Sequence, residues 1–415
     1  MNIALFSDCW FPTKNGVVTV VIQLRRALEK AGHHVVVVTV DSKSVLNLKK
    51  PEIDEEDENR LKIPSLVSPL GDNQYIGLPF EKTVQDFCKK HNVEIIHSHT
   101  EFTLGHLARV TGRKLGIPVV ATTHTMWEDY YRYYLKMGFM IPKGVIRKLV
   151  HASFKNFYAL INVSQKAHDY FKNPYILPSM PSAIIPNAID TERFLSRGDA
   201  TQEEMDELRK SLGIQPDDSV VLYVGRVVEE KRLKELLEIC IRVVQDREHV
   251  KVLFVGAGGA LEEMQKKVQE LELTDKIIFA GFVDWFKLSA YYAISSMFVT
   301  VSLSEMHSMT VLEAMCLKLP VICRKDTSFT DTIFPGENGY LLDTDEEVAE
   351  SIKKLVDDKD LCNRMGQKSY ELSKHFTLEV HTERTLAFYK AVLKKFPEKI
   401  TDEELASAVA SVKSE

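Results

Sequence analysis

Short, nearly uninterrupted apolar runs alternate along this chain with amphipathic stretches of helical period. "NIALFS" (2–7) reads as a buried strand; the loop "DCWFPTKNGV" follows, and apolar positions at helical spacing predict a helix over roughly 17–31. Further strands are expected at "HHVVVVTV", "VEIIHSH" (93–99), "PVVATTH" (118–124) and "YALINVS" (158–164). Strands apolar on both faces and separated by helices indicate a parallel sheet covered on each side. The acid-rich "PEIDEEDENR" (51–60) predicts a solvated loop.

The pattern then begins again. "SVVLYVGR" (219–226), "VKVLFVGAGG" (250–259), "DKIIFAGFV" (275–283), "SMFVTVS" (296–302) and "LPVICR" (319–324) are strands, and "KRLKELLEICIRVVQD" is the first helix among them. The expected fold class is α/β, with two facing Rossmann-like doubly wound parallel-sheet domains, 1–190 and 191–378, joined near "IIPNAIDTERF" (184–194). Residues 379–415 would add a long helix (from 378 to 396) that crosses back to the first domain and packs across both, then a frayed helical tail. Ligands of such sheets bind beyond the carboxyl ends of the strands, so two facing sheets would put their binding edges across one cleft.

At 415 residues, 45% apolar and 27% charged, the chain can bury two globular cores. Its longest apolar runs are strand-sized, far short of a membrane span. The start "MNIALFSDCWF" lacks a basic region, so no signal peptide is expected. Six cysteines without CxxC spacing suggest reduced core thiols in a cytoplasmic protein, not disulfides or a zinc site. The net charge of −6 divides unevenly: residues 1–195 hold 24 Lys+Arg against 19 Asp+Glu, the remainder 29 against 40. From Tyr130 to His168 there is no acid, while Arg132, Lys136, Lys143, Arg147, Lys148, Lys155 and Lys166 interleave with Tyr and Phe. Such a segment suits an anionic membrane surface or nucleic acid.

Two strand ends carry candidate chemistry. Gly225 and Arg226 close a strand, and Lys231 lies five residues on. An Arg and a Lys converging on a strand's carboxyl end can hold a diphosphate, although two solvated basic residues would look the same. In "SEMHSMTVLEAM" (304–315) a strand gives way to a helix. The N–H groups of Ser308, Met309 and Thr310 open that helix and suit a phosphate. Glu305 precedes the helix and Glu313 lies within it. One carboxylate can accept from a sugar hydroxyl and the other from a ribose, yet spacing alone favours a surface acid at Glu313. Three other motifs read as structural. "GAGGAL" (256–261) lacks the last glycine of GxGxxG. His97 and His99 share a strand face without a convincing ligand set and read as a buried pair. "DTD" (343–345) precedes a helical run and reads as helix capping, not a Mn²⁺ site.

The ordered set "FPTKNGV", "THTMW", "IPNAIDTERF", "GRVVEEK", "VGAGG", "GFV", "SLSEMHSMTVLEAM" and "GENGYLL" resembles the retaining glycosyltransferases of family four, which have the GT-B fold of two Rossmann-like domains. The resemblance covers residues 2 to about 395. It implies that Arg226 and Lys231 hold a nucleotide diphosphate, that Glu313 binds the ribose, and that Glu305 contacts the donor hexose. The N–H groups of 308–310 would meet the β-phosphate, and Phe282 and Val283 would offer backbone to the base. Gly16 would bring backbone near the phosphates, although Asn15 stands where the family often has a first glycine. His124 would lie by the donor sugar and the forming bond. No cofactor or metal is required by such a site, and Mg²⁺ stimulation stays compatible with it. The glutamate pair is then a clamp for hexose and ribose, not an acid/base couple.

Within that family the start "FSDCWFPTKNGVVT" and the basic aromatic segment resemble the bacterial 1,2-diacylglycerol 3-α-glucosyltransferases. That resemblance implies UDP-glucose as donor, a membrane glycerolipid as acceptor, no nucleic acid, and a peripheral place on the inner face of the cell membrane. Arg132, Lys136, Lys143, Arg147 and Lys148 would meet lipid headgroups; a core helix with a solvated basic edge is the alternative. A soluble acceptor (sugar phosphate, glycan or polyol) keeps the same donor chemistry, and a sugar-nucleotide epimerase or non-catalytic binder is the more distant reading.

Overall fold

The structure is a computed structural model that describes residues 1–11, 16–41, 50–67, 75–134, 140–191, 194 and 201–412, the side chains at 130, 132–134 and 286 excepted. It divides into two compact units, Met1–Asn187 with Leu378–Glu415, and Ala188–Thr377; the sequence pattern drew the limits at 190 and 378.

In the first unit the strands are β1 (Asn2–Ser7), β2 (His34–Asp41), β3 (Glu52–Asp54), β4 (Asp57–Val67), β5 (Tyr75–Gly77), β6 (Ile95–Ser98), β7 (Val119–Thr123), β8 (Ala159–Asn162) and β9 (Ser182–Ile184). Their order is β3-β4-β2-β1-β6-β7-β8-β9, with β5 on β4. Only β3 and β5 run antiparallel to their neighbour. Val35 to Val38 of β2 are all buried, and each such side chain contributes roughly 1.5–3 kcal/mol of burial. The sheet grows outward in both directions from β1 and β6, which makes their carboxyl ends the topological switch point.

Two expectations fail here. The run 51–60 is not a loop: it forms β3, a turn and the start of β4. Three of its six acids are paired, Asp57 with Arg25, Asp54 with Arg60, and Glu52 with Lys62, which ties the run into the sheet. The tail is not frayed either. Helix Asp402–Ala410 opens with a capping box between Thr401 and Glu404 and buries Leu405 and Val409. Asp402 also binds the Lys172 ammonium and the Ser182 N–H. The preceding helix, Leu378–Lys395, puts Phe388, Tyr389 and Val392 into the core of this first unit.

In the second unit β10 (Ser219–Val224), β11 (Val250–Val255), β12 (Ile277–Gly281), β13 (Met297–Thr300), β14 (Val321–Arg324) and β15 (Gly339–Leu342) are all parallel, in the order β12-β11-β10-β13-β14-β15. Counted within the unit this is the 3-2-1-4-5-6 order of nucleotide-binding sheets, with its switch point between β10 and β13. The "GAGGAL" glycines have a packing role. A Cβ at Gly256 would stand 1.8 Å from the Gly225 carbonyl oxygen, so only glycine lets the end of β11 lie against the end of β10. Thr344 caps helix Asp345–Asp357, in reciprocal bonds with Glu347, as the capping reading of "DTD" requires. The six cysteines are free thiols, five of them buried. Among the described residues no helix is long and apolar enough to cross a membrane.

Candidate active site

At the second unit's switch point β10 ends in Gly225 and Arg226, and β13 ends in the loop that carries Ser304 and Glu305. Lys231 does not open the long helix, as the sequence predicted. It sits on a 3₁₀ turn, Glu229–Lys231, and Arg232 in left-handed conformation (φ 54°) separates it from helix Leu233–Asp246. The turn is held from inside the protein. Lys231 Nζ is 2.7 Å from Glu305 Oε1, 3.0 Å from Glu230 Oε1 and 3.3 Å from Ser304 Oγ. Glu230 is buried and reaches both cations: its Oε2 accepts from Arg226 at 3.1 Å, and its Oε1 also accepts from Ser304 Oγ at 2.8 Å. Burial alone would raise the Glu230 pKa, but the Lys231 and Arg226 charges outweigh it and hold this carboxyl below its usual range. The Arg226 guanidinium is half exposed. Two cations and two carboxylates thus share one strand edge with no net formal charge.

Helix Met309–Cys316 starts beside this loop with Ser308 as its N-cap. The Ser308 hydroxyl bonds to the Thr310 hydroxyl (3.1 Å) and not to the helix's own N–H groups, which leaves the first turn to take another acceptor. Glu313 is no surface acid. It is 4% exposed, its Oε1 accepts from Trp285 Nε1 at 2.9 Å and its Oε2 from the Tyr292 hydroxyl at 2.7 Å. Burial lifts its pKa to about 7 although both hydrogen bonds oppose the rise. Arg226, Lys231 and Glu305 are therefore brought together, whereas Glu313 has a separate, uncharged pair of partners. Phe282 follows β12 as an exposed ring, and Val283 is half-buried against the sheet.

The remaining predicted residues lie in the first unit. Gly16 begins helix Gly16–Lys30 and is exposed; positions 12–15 of its motif, Asn15 included, lie outside the described residues. His124 follows β7, with Nε2 3.1 Å from His99 Nδ1. Of the basic segment, Lys136 lies outside the described residues and Arg132 is described only as part of helix Trp127–Tyr134. Lys143 and Lys148 are exposed on helix Lys143–Phe154. Arg147 is committed to the protein: it forms a two-pronged pair with buried Glu128 at 2.7 and 3.0 Å.

Known proteins match over most of the chain. Residues 14–193 fit the model of Glycosyltransferase Family 4, and 204–372 that of Glycosyl transferases group 1. An alpha-monoglucosyldiacylglycerol synthase of Streptococcus pneumoniae is 30% identical over 385 residues, 92% of this chain and 85% of that one. The chain is a family-four glycosyltransferase of GT-B fold. A second alpha-monoglucosyldiacylglycerol synthase, from Acholeplasma laidlawii, is 27% identical and covers 96% of this chain and 99% of its own. Among solved structures, sucrose-phosphate synthase of Thermosynechococcus elongatus superposes with a TM-score of 0.74 at 20% identity, covering 95% of this chain and 99% of that one. Anabaena HepE in complex with UDP-glucose superposes with a TM-score of 0.71 at 17% identity, covering 94% and 99%. At these identities the structural likeness speaks for the fold.

Several groups of this glycosyltransferase's strand edges escaped the sequence. Glu230 stood in plain view in "VVEEK", but a Glu beside a Lys reads as a solvated pair until strand ends bury it. Trp285 and Tyr292 approach Glu313 from a separate turn and helix, at 28 and 21 residues' distance along the chain.

Proposed function

We propose that this glycosyltransferase moves glucose, with retention, from UDP-glucose to a membrane glycerolipid such as diacylglycerol, forming an α-glycolipid. The observation that carries the donor half is the cluster of Arg226, Glu230, Lys231, Ser304 and Glu305 at the β10/β13 switch point. In this reading Lys231, Arg226 and the N–H groups at Ser308 to Thr310 take the diphosphate, whose negative charge grows as the bond from the anomeric carbon to the β-phosphate oxygen breaks. These groups supply that field without a resident metal. The acceptor oxygen bonds to the anomeric carbon on the face the phosphate leaves, and its proton passes to the departing phosphate oxygen. Glu305 and His124 orient the hexose, and Glu313 holds the ribose hydroxyls.

The acceptor half is supported by the likeness to the two alpha-monoglucosyldiacylglycerol synthases above and by one helix face. Helix Lys143–Phe154 buries Ile146, Val150 and Phe154, yet leaves Val145 and Leu149 exposed beside Lys143 and Lys148, with Met140 exposed just before it. Apolar side chains flanked by ammonium groups fit the boundary between anionic headgroups and acyl chains. The enzyme would then work peripherally on the cytoplasmic face of the membrane. Incubation of the purified chain with UDP-glucose and phosphatidylglycerol vesicles containing diacylglycerol should yield a lipid heavier by one hexosyl group. Transfer only to soluble sugar phosphates, glycans or polyols would overturn the lipid acceptor, and conversion of the nucleotide sugar to its epimer would overturn the transferase site.

A further inference from the structure

The "HSH" pair is more than packing. His97 and His99 lie at the end of β6, with ring centroids 4.1 Å apart. His97 is satisfied at both nitrogens, Nδ1 to the Tyr389 hydroxyl at 2.6 Å and Nε2 to the Thr122 hydroxyl at 2.7 Å. Tyr389 comes from helix Leu378–Lys395, so that helix anchors the first rung of a ladder. The His99 ring is tilted by 35° against His97 and lies nearly parallel to His124, with centroids 5.4 Å apart and planes 21° apart. Its Nδ1 is 3.1 Å from His124 Nε2, while its Nε2 is buried with no hydrogen-bond partner among the described residues.

That asymmetry selects a tautomer. Burial holds His97, His99 and His124 well below the usual histidine range, and the neighbouring histidines push the same way, so all three rings are neutral near pH 7. One proton therefore lies between His99 Nδ1 and His124 Nε2. Were it on His124, the proton of His99 would sit on Nε2, a buried donor without an acceptor. With it on His99, Nε2 keeps only a lone pair, the cheaper orphan.

We propose that His99 is a positioning residue that donates from Nδ1 to His124 Nε2, fixing the ring plane of His124 and holding it in the Nδ1–H tautomer. His124 then offers a neutral N–H donor, suited to an oxygen lone pair on the transferred sugar, and has no lone pair left with which to act as a base. This rests on the reading that His124 touches the donor hexose, and the test separates the two.

The test uses the full-length enzyme with ¹⁵N-labelled histidine and a long-range ¹H–¹⁵N spectrum, the His124 signals being assigned by their loss in His124→Gln. The wild type should show His124 protonated at Nδ1. His99→Leu should shift His124 away from that single form and lower kcat about 10- to 100-fold with donor KM nearly unchanged, the usual cost of releasing an orienting hydrogen bond. In His99→Asn the amide nitrogen occupies the place of Nδ1 and still donates; both the tautomer and most of kcat should return. A wild-type His124 protonated at Nε2 overturns the proposal, even if the Leu variant fails to fold. Equal losses in the Asn and Leu variants, with the tautomer unchanged, overturn it too. A tautomer that follows residue 99 while the rate does not would confirm the hydrogen bond and remove His124 from the reaction.

Discussion

Replacing Glu305 by Gln should make the enzyme bind UDP more tightly and turn over more slowly. Lys231 Nζ lies 2.7 Å from Glu305 Oε1 and 3.0 Å from Glu230 Oε1, and both partners of the first contact are largely buried. With charge centres about 4 Å apart and an effective dielectric near 20, such a pair gains about 4 kcal/mol before desolvation. Net of desolvation, hydrogen bonds to charged groups contribute about 1.5–3 kcal/mol. A diphosphate that takes Lys231 competes with that grip. Glu305→Gln keeps an acceptor but deletes the charge, and Glu230 and Ser304 still hold the ammonium. The relief should be on the order of 1–2 kcal/mol, or about 5- to 30-fold in the UDP Kd. If Glu305 orients the hexose as proposed above, loss of its carboxylate should meanwhile lower kcat by about 100-fold. Calorimetric titration with UDP and initial rates at saturating donor, at one ionic strength, measure both. Unchanged or weaker UDP binding would refute the claim that Glu305 and the diphosphate share Lys231.

Lys231→Ala should lower kcat/KM by more than about 1,000-fold and destabilise the fold by about 3–5 kcal/mol, because Glu230 stays buried without its nearest cation; a near-normal rate would remove the diphosphate site. For Glu313 the sign follows from burial: its pKa rises from near 4.5 to about 7, so the folded protein holds the proton more tightly than the unfolded chain. Stabilisation from this group is complete below about pH 4.5 and is lost as pH climbs through 7, roughly 3 kcal/mol in all. Glu313→Gln should flatten that part of the pH dependence of urea unfolding, and an unchanged slope would place the titration elsewhere. Dialysis against a chelator should leave the transfer rate intact, and a rate restored only by added divalent cation would show that Arg226 and Lys231 do not suffice.

Both sheets were legible because their strands are apolar on both faces and alternate with helices, a pattern that leaves few topologies. The hairpin at 51–60 was hidden by its six acids, three of which find partners in Arg25, Arg60 and Lys62 on a helix and a strand. The last helix was misjudged although its signal was present: Thr401 and Glu404 have capping-box spacing, and Leu405 and Val409 lie four apart on the face that becomes buried. The site divides the same way. The meeting of Arg226, Lys231 and Glu305 could be anticipated because all three follow strand ends of one sheet. Glu230 could not, since pairing across β10 and β13 is a property of the sheet order and not of local spacing.

Three glutamates of one unit show why residue type alone is a poor guide to role. Glu230 lies between two cations and is held ionised; Glu313, capped by a phenol and an indole, is driven towards its neutral form. Glu305 is bound to an ammonium, which weakens any carboxylate as a nucleophile. A double displacement needs a free carboxylate under the anomeric carbon, and each of these three is occupied by partners of the second unit. Under the proposed function, the protein would then hold the sugar nucleotide while the leaving phosphate itself takes the proton.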